Sequence, residues 1–98
     1  SEMLFEPPQY NRKMLHHIYN SHLALLSKLQ KGLLLQESEK RDIENFPQIM
    51  MICYLNGFED AIQKLIDAKP YLKSFENPLL YVSFKEAMRI LRKMKYYQ

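Results

Sequence analysis

Residues 8–32 read PQYNRKMLHHIYNSHLALLSKLQKG, and this stretch decides the fold class. One set of its positions recurs at steps of three or four, namely Leu15, Ile18, His22, Leu25, Leu26 and Leu29. That spacing places the set along one side of an α-helix, which would then face a core. Gly32 is a natural stop, because glycine adopts the left-handed cap conformation without penalty. We therefore predict a first helix from about Pro8 to Lys31.

A second helical stretch is predicted to begin near Ser38, a good N-cap residue. Its apolar positions again recur at three or four, as Ile43, Phe46, Met50, Cys53 and Tyr54. Pro47 interrupts this run and either opens a new helix at its first position or kinks a continuous helix at Phe46. Between the first two stretches, Leu33, Leu34 and Leu35 form an apolar connector that we expect to be buried.

Asn56-Gly57 breaks the chain after this run. Asn-Gly between apolar runs is a strong β-hairpin signal. The flanking residues lack the alternation of strands, however, so a turn between two helices is the better interpretation. A third amphipathic helix is predicted from Phe58 to Lys69, and Pro70 is expected to close it.

The last helix is predicted from Pro78 to about Tyr97, with Asn77 as its cap. The connection before it spans residues 71–76 and is expected to bury one of three side chains, Tyr71, Leu72 or Phe75. The apolar side of the last helix contains Phe84, Ala87, Met88, Leu91 and Met94. Its other side contains Lys85, Arg89, Arg92 and Lys93.

Composition agrees with an all-α fold. The 98 residues suit one domain, and 47% hydrophobic with 26% charged residues is typical of a folded protein. Two glycines are too few for the turns of an all-β chain, and no apolar run of about 20 residues could span a membrane. Residues 1–7 are expected to be an extended lead-in, with Ser1 and Glu2 an expression remnant. We predict a single-domain, compact bundle of four to five helices.

The sequence contains no pattern typical of an enzyme. His16, His17 and His22 are spaced by one, five and six residues, which does not place two metal ligands side by side on a helix. His22 is therefore interpreted as a hydrogen-bonded core histidine. Cys53, within an apolar run, is interpreted as a buried, inert thiol, and one cysteine forms no internal disulfide. We predict no catalytic residue, no metal site and no cofactor.

The acidic residues of the second stretch are interpreted as a solvated helix face. They are Glu37, Glu39, Asp42 and Glu44, and they alternate with Lys40 and Arg41. Paired catalytic carboxylates would instead share a cleft that separates their pKa values. Alternating charges are typical of a helix side in water.

Positive charge is concentrated in the last helix. Residues 79–98 carry a net charge of +4, whereas the whole chain carries +3. The candidate partner-binding residues are Lys85, Arg89, Arg92, Lys93, Lys95, Tyr96 and Tyr97. An acidic protein partner, nucleic acid with stacking on the tyrosines, or an anionic membrane surface would each suit them. A solvated outer face is the alternative without a partner, and the membrane is the least favoured of the three partners.

Seven Tyr, five Phe and six Met exceed what a small bundle needs for its core. For each of them taken singly, placement in the core or at its boundary is favoured, and the candidates to remain outside it are Met3, Leu4, Phe5, Tyr10, Tyr71, Phe75, Tyr96 and Tyr97. An exposed cluster of them would mark a partner or self-association surface, so a homo-oligomer is also considered.

The sequence therefore predicts a small, basic, cytoplasmic interaction module without enzyme activity, such as a regulator, adaptor or inhibitor that binds a protein partner through helical faces. The alternative is a nucleic-acid-binding protein that uses the basic last helix.

Overall fold

The fold is built from helices. The computed structural model describes residues 11–73, 85–90 and 92–93. Its helices are α1 (Arg12–Gln30), α2 (Glu37–Glu44), α3 (Phe46–Leu55) and α4 (Ala61–Leu72). Residues 85–90 and 92–93 are helical as well, and we call them the terminal helical segment. These ranges contain no strand. The prediction of an all-α bundle of four to five helices is confirmed.

The start of α1 is set by a local cap. Asn11 precedes the helix, and its side-chain oxygen accepts hydrogen bonds from the backbone N–H groups of Lys13 (2.9 Å) and Met14 (3.3 Å). Such a cap satisfies two of the donors that the first helical turn leaves without a partner. The helix therefore begins at Arg12, and the start predicted at about Pro8 is wrong.

The two glycines end helices in the same way. Gly57 has φ +95° and follows α3; its N–H donates to the Tyr54 carbonyl at 3.0 Å, and that of Phe58 donates to the Cys53 carbonyl at 2.9 Å. The same pair of bonds closes α1 at Gly32, with φ +71°. This is a Schellman motif, which needs the left-handed conformation that glycine tolerates. The predicted stop at Gly32 and the predicted helix-to-helix turn at Gly57 are both confirmed.

The structure decides between the two alternatives that were left open at Pro47, and it contradicts the prediction made for Pro70. Pro47 lies in the first turn of α3, where a missing N–H costs nothing, so a new helix begins there rather than a kinked one. Pro70 was predicted to close the following helix, and this prediction is wrong. The helix continues to Leu72, which is buried, and Lys73 N–H still donates to the Lys69 carbonyl at 3.3 Å. Burial of the last turn offsets the loss of one hydrogen bond.

The start of α4 also differs from the prediction. Phe58 was expected to open the helix, but its N–H completes the cap of α3 and its carbonyl accepts from Ala61 N–H at 3.0 Å. The helix therefore begins at Ala61, after a short turn. Of the three side chains of which one was expected to be buried, Leu72 is buried and Tyr71 is half-buried. Phe75, Asn77 and Pro78 lie outside the described residues.

The core lies where α1, α3 and α4 meet. α1 packs against α2, α3 and α4, and α3 packs against both α2 and α4. The core side chains are Leu15, Tyr19, Leu25, Leu26, Ile43, Phe46, Met50, Cys53, Phe58, Ala61, Leu65, Ala68, Leu72 and Ala87. The predicted α1 stripe is confirmed at Leu15, His22, Leu25 and Leu26, whereas Ile18 and Leu29 are only half-buried. The radius of gyration, 13.8 Å, is close to the ~13 Å expected for a compact chain of about 100 residues.

The leucine connector was predicted to be buried, and this prediction is wrong. Leu33 is 54% exposed and Leu34 is 96% exposed, while Leu35 is half-buried. The Schellman turn at Gly32 leads the chain across the outside of the bundle to the start of α2. Because these residues belong to no helix, they have no periodic face that packing could direct inward.

Candidate functional site

The basic face predicted from the sequence lies on the terminal helical segment. Lys85, Arg89, Arg92 and Lys93 are exposed, whereas Ala87 is only 3% exposed. At about 100° per residue, the four cations fall within an arc of about 100°, and Ala87 points the opposite way. The helix therefore buries its small side chain and presents the cations outward. Lys95, Tyr96 and Tyr97 lie outside the described residues.

One acid lies beside this basic face. Arg89 donates to Glu86 through Nε (3.1 Å) and Nη2 (2.5 Å), which is a two-pronged contact with the carboxylate. The hydrogen bond lowers the pKa of Glu86 and raises the pKa of Arg89. Among the described residues, Arg92 and Lys93 have no ion-pair partner. The positive charge of the face is thus only partly neutralised from within the chain.

Exposed apolar side chains appear elsewhere than predicted. The large exposed ones among the described residues are Met14, Leu33, Leu34 and Ile66. Of the side chains predicted to remain outside the core, Tyr71 is half-buried; Met3, Leu4, Phe5, Tyr10, Phe75, Tyr96 and Tyr97 lie outside the described residues. The prediction that Leu33 and Leu34 are buried rested only on their apolar character. Their position between a glycine stop and a helix start was the signal for a surface connector.

A cleft of about 450 Å³ lies between the first half of α1 and the turn that precedes α4. Six of its lining residues are Arg12, His16, Tyr19, Asn20, Phe58 and Asp60. Arg12 anchors its edge, because Nη1 donates to the Asn56 carbonyl at 2.9 Å and the guanidinium lies 5.1 Å from the centre of the Phe58 ring. A cation above an aromatic face is an attractive arrangement.

Phe58 forms the centre of an aromatic cluster in this cleft. The His16 ring lies 4.6 Å from it at a tilt of 47°, and the Tyr19 ring meets it edge-on at 5.1 Å and 76°. Both are favourable geometries for aromatic pairs. Arg12, His16 and Tyr19, spaced about one turn apart along α1, thus contact Phe58 in the turn after α3. The cleft was not predicted from the sequence. The burial of Tyr19 could have been, because Tyr19 lies four residues after Leu15 and three before His22, on the predicted buried side of the helix.

The Tyr19 hydroxyl has no hydrogen-bond partner in the described part of the chain, although the residue is only 9% exposed. Burial raises the pKa of this hydroxyl, and the charges of Asp60 and Cys53 act in the same direction. Asp60 is the N-cap residue of α4, but its side chain makes no capping hydrogen bond. Tyr19 and Asp60 both line this cleft.

The other titratable groups singled out from the sequence lie in or around the core. His22 is buried, and its Nδ1 is 2.9 Å from the Ile18 carbonyl, so Nδ1 donates there, as predicted for a core histidine. Its Nε2 has no partner among the described residues. Cys53 is buried, as predicted, and burial raises the pKa of its thiol to about 11. His16 and His17 are exposed.

The acidic stretch lies mostly in solvent, as predicted, with one exception. Glu37 is exposed and pairs with Lys40 at 3.2 Å, within α2. Glu39 is half-buried; it accepts from Lys28 of α1 at 2.5 Å and from the Gln36 backbone N–H at 3.0 Å. These hydrogen bonds lower the pKa of Glu39. The contact ties α2 to α1 and is structural in character.

Neither a metal cluster nor a membrane-spanning helix occurs among the described residues. They contain no group of three or more His, Cys, Asp or Glu side chains placed to hold a metal ion. None of their helices is both long enough and apolar enough to cross a membrane.

Comparison with known proteins gives a single finding. A family described as a domain of unknown function (DUF5929) has a model that matches residues 1–97. No curated protein matches the chain, and neither does any solved structure.

Proposed function

The chain belongs to the DUF5929 family, and because that description names no activity, we propose a function from its surfaces. The protein is a non-enzymatic interaction module that binds an acidic protein partner through the basic face of the terminal helical segment. One observation carries this proposal. Lys85, Arg89, Arg92 and Lys93 are exposed on one side of a segment whose opposite side is buried at Ala87.

Charge complementarity supports an acidic partner. The cations lie on one side of a helical segment that is packed through Ala87, so they need no rearrangement to meet a row of carboxylates. Their charge would also speed the encounter with an acidic partner. Arg89 pairs with the Glu86 carboxylate through two hydrogen bonds, which supports the view that guanidinium groups on this face can bind carboxylates. Arg92 and Lys93, one turn further on, offer the next positions.

Exposed apolar side chains elsewhere in the described residues favour a protein over nucleic acid as the partner. Leu33 and Leu34 present apolar surface to solvent, and exposed apolar side chains are typical of protein interfaces. The aromatic residues that could stack on bases, Tyr96 and Tyr97, are not among those the structure describes, so stacking supplies no support.

A binding experiment with a defined acidic probe tests the proposal. The full chain is titrated into a fluorescein-labelled glutamate-rich peptide, and fluorescence anisotropy is followed at low and at high salt. The variant in which Arg89, Arg92 and Lys93 are replaced by Glu is expected to bind about tenfold more weakly or worse, because three attractive contacts become repulsive. Circular dichroism confirms that its helix content is unchanged.

The matched control reverses three other exposed cations. Lys13, Lys31 and Arg41 replaced by Glu take the net charge from +3 to −3, as the first variant does, but leave the basic face intact. This control should keep most of the affinity. Equal losses in the two variants would show that only net charge matters and would overturn the proposed face.

A labelled random DNA duplex forms the second arm. If it binds more tightly than the peptide, with a steep dependence on salt that the first variant removes, nucleic acid replaces the acidic protein as the partner. If neither probe binds at low salt, the basic face is a solvated surface and the proposal is wrong.

A further inference from the structure

We propose that Glu86 is an internal competitor for the basic face: its carboxylate occupies Arg89 in the free chain and is displaced by a carboxylate of the acidic partner. The affinity of the face for acidic proteins is therefore held down from within the chain, and a partner with several carboxylates is favoured over one with a single acid. This inference rests on the function proposed above and adds a residue that regulates it.

Two hydrogen bonds hold Glu86 to Arg89. Nε of Arg89 donates to one carboxylate oxygen at 3.1 Å, and Nη2 donates to the other at 2.5 Å. A guanidinium presents its donors as a planar fork, and a carboxylate that accepts from Nε and one Nη occupies a complete edge of that fork. A partner's carboxylate that approaches Arg89 through the same edge can bind in this two-pronged way only after Glu86 has left.

Glu86 lies at one edge of the basic face. At about 100° per residue, its position on the helix is about 20° beyond that of Lys93 and about 60° from that of Arg89, but about 120° from that of Arg92. The charges of Arg89 and Lys93 both help to lower the pKa of Glu86. Glu86 therefore counteracts the cations on its own side of the face and leaves Arg92, on the far side, the least affected.

The contact between Glu86 and Arg89 is open to exchange. Both side chains are 54% exposed, and ion pairs at such positions are weak because water and salt screen them. Arg92 and Lys93 have no ion-pair partner in the described ranges, so a partner can contact them first. A second carboxylate of the same partner then competes for Arg89 within a complex that has already formed, where its effective concentration is high. This is why several carboxylates displace Glu86 more readily than one.

The variant Glu86→Gln tests the proposal, because it keeps the shape of the side chain and removes its charge. The full chain is titrated into the same fluorescein-labelled glutamate-rich peptide at low salt. Glu86→Gln should bind the peptide about two- to fivefold more tightly than the parent chain, as expected when an exposed competing ion pair is removed. Glu44→Gln, at an exposed position on α2, changes the net charge equally and should leave the affinity almost unchanged. Equal gains in the two variants would overturn the proposal.

A pair of double variants tests whether Glu86 acts through Arg89. In a chain that already carries Arg89→Gln, adding Glu86→Gln should change the affinity much less, because no contact is left to release. In a chain that carries Arg92→Gln instead, the two- to fivefold gain should persist. Equal gains in the two backgrounds would show that only a nearby negative charge matters, and the competition would be wrong. Circular dichroism follows the helix content of each variant; a loss of helix without a gain in affinity would show that the pair only stabilises the helix.

The result for the parent chain separates this inference from the proposed function. If the parent chain binds the peptide and Glu86→Gln binds it no more tightly, the basic face remains supported and the internal competitor is wrong. If only Glu86→Gln binds, the competition is supported and the function proposed for the parent chain is wrong. If neither binds, both proposals are wrong.

Discussion

Leu34 is exposed and Leu65 is buried. Replacing Leu34 with alanine should therefore leave the stability almost unchanged, whereas the same replacement at Leu65 should lower it strongly. Leu34 is 96% exposed in the connector, so folding removes only about 4% of its surface from water. Full burial of a leucine contributes about 1.5–3 kcal/mol, so the share of Leu34 is about 0.1 kcal/mol. We expect Leu34→Ala to change the free energy of unfolding by less than about 0.5 kcal/mol.

Leu65 lies in α4 and is 0% exposed. Leu65→Ala removes the same atoms but leaves a cavity in the core, which typically costs about 2–5 kcal/mol. For a domain of about 100 residues each kcal/mol lowers the melting temperature by about 4–8 °C, so a loss of about 10 °C or more is expected.

Urea denaturation followed by circular dichroism at 222 nm measures both variants against the parent chain. The slope of the transition should be unchanged, because the surface exposed on unfolding is nearly the same. If Leu34→Ala costs more than about 1 kcal/mol, the connector is packed after all, as the sequence predicted. The apolar support for a protein partner would then be lost.

Three further predictions concern single positions. Burial raises the pKa of the Cys53 thiol to about 11, so a disulfide reagent at pH 8 should modify it only after unfolding in guanidinium, and rapid modification of the native chain would contradict its burial. Gly57→Ala should cost about 1–2 kcal/mol in a melt, because its φ of +95° lies far from the left-handed region near +57° that other residues can adopt; Gly32→Ala, at φ +71°, should cost less, and the reverse order would refute the argument. Hydrogen bonding to Lys28 lowers the pKa of Glu39 below its ordinary value of 4.5. The ionised Glu39 therefore stabilises the fold fully above pH 4.5, and this contribution is lost as the pH falls through the lower pKa of the folded state. The free energy of unfolding should fall more steeply with acid for the parent chain than for Glu39→Gln, and equal slopes would contradict the contact.

Sequence reasoning predicted most of the helices because their signals are local. The three-to-four spacing of Leu15, Leu25 and Leu26 and the stops at Gly32 and Gly57 depend on residues within one or two turns of each other. A helix satisfies its backbone hydrogen bonds within the segment itself, so its existence and its glycine stop can be read from the chain without knowledge of its neighbours.

The same reasoning located one candidate surface and missed another. The cations of the last helix follow helical spacing, so their common face was predictable. The cleft between α1 and the turn before α4 joins Tyr19 to Phe58 and Asp60, which lie about forty residues further along the chain. No spacing rule connects side chains at that separation, because their distance is set by how α1 packs on the turn before α4.

The sequence by itself therefore determined that the chain is helical, that glycines end two of its helices, and that the last helix carries its cations on one side. Tertiary structure decided that Leu34 lies in solvent, that the chain stays helical through Pro70, and that Tyr19 is buried against the Phe58 ring. The physical reason is the range of the interactions. Helix formation depends on bonds four residues apart, whereas burial depends on the contacts between whole helices.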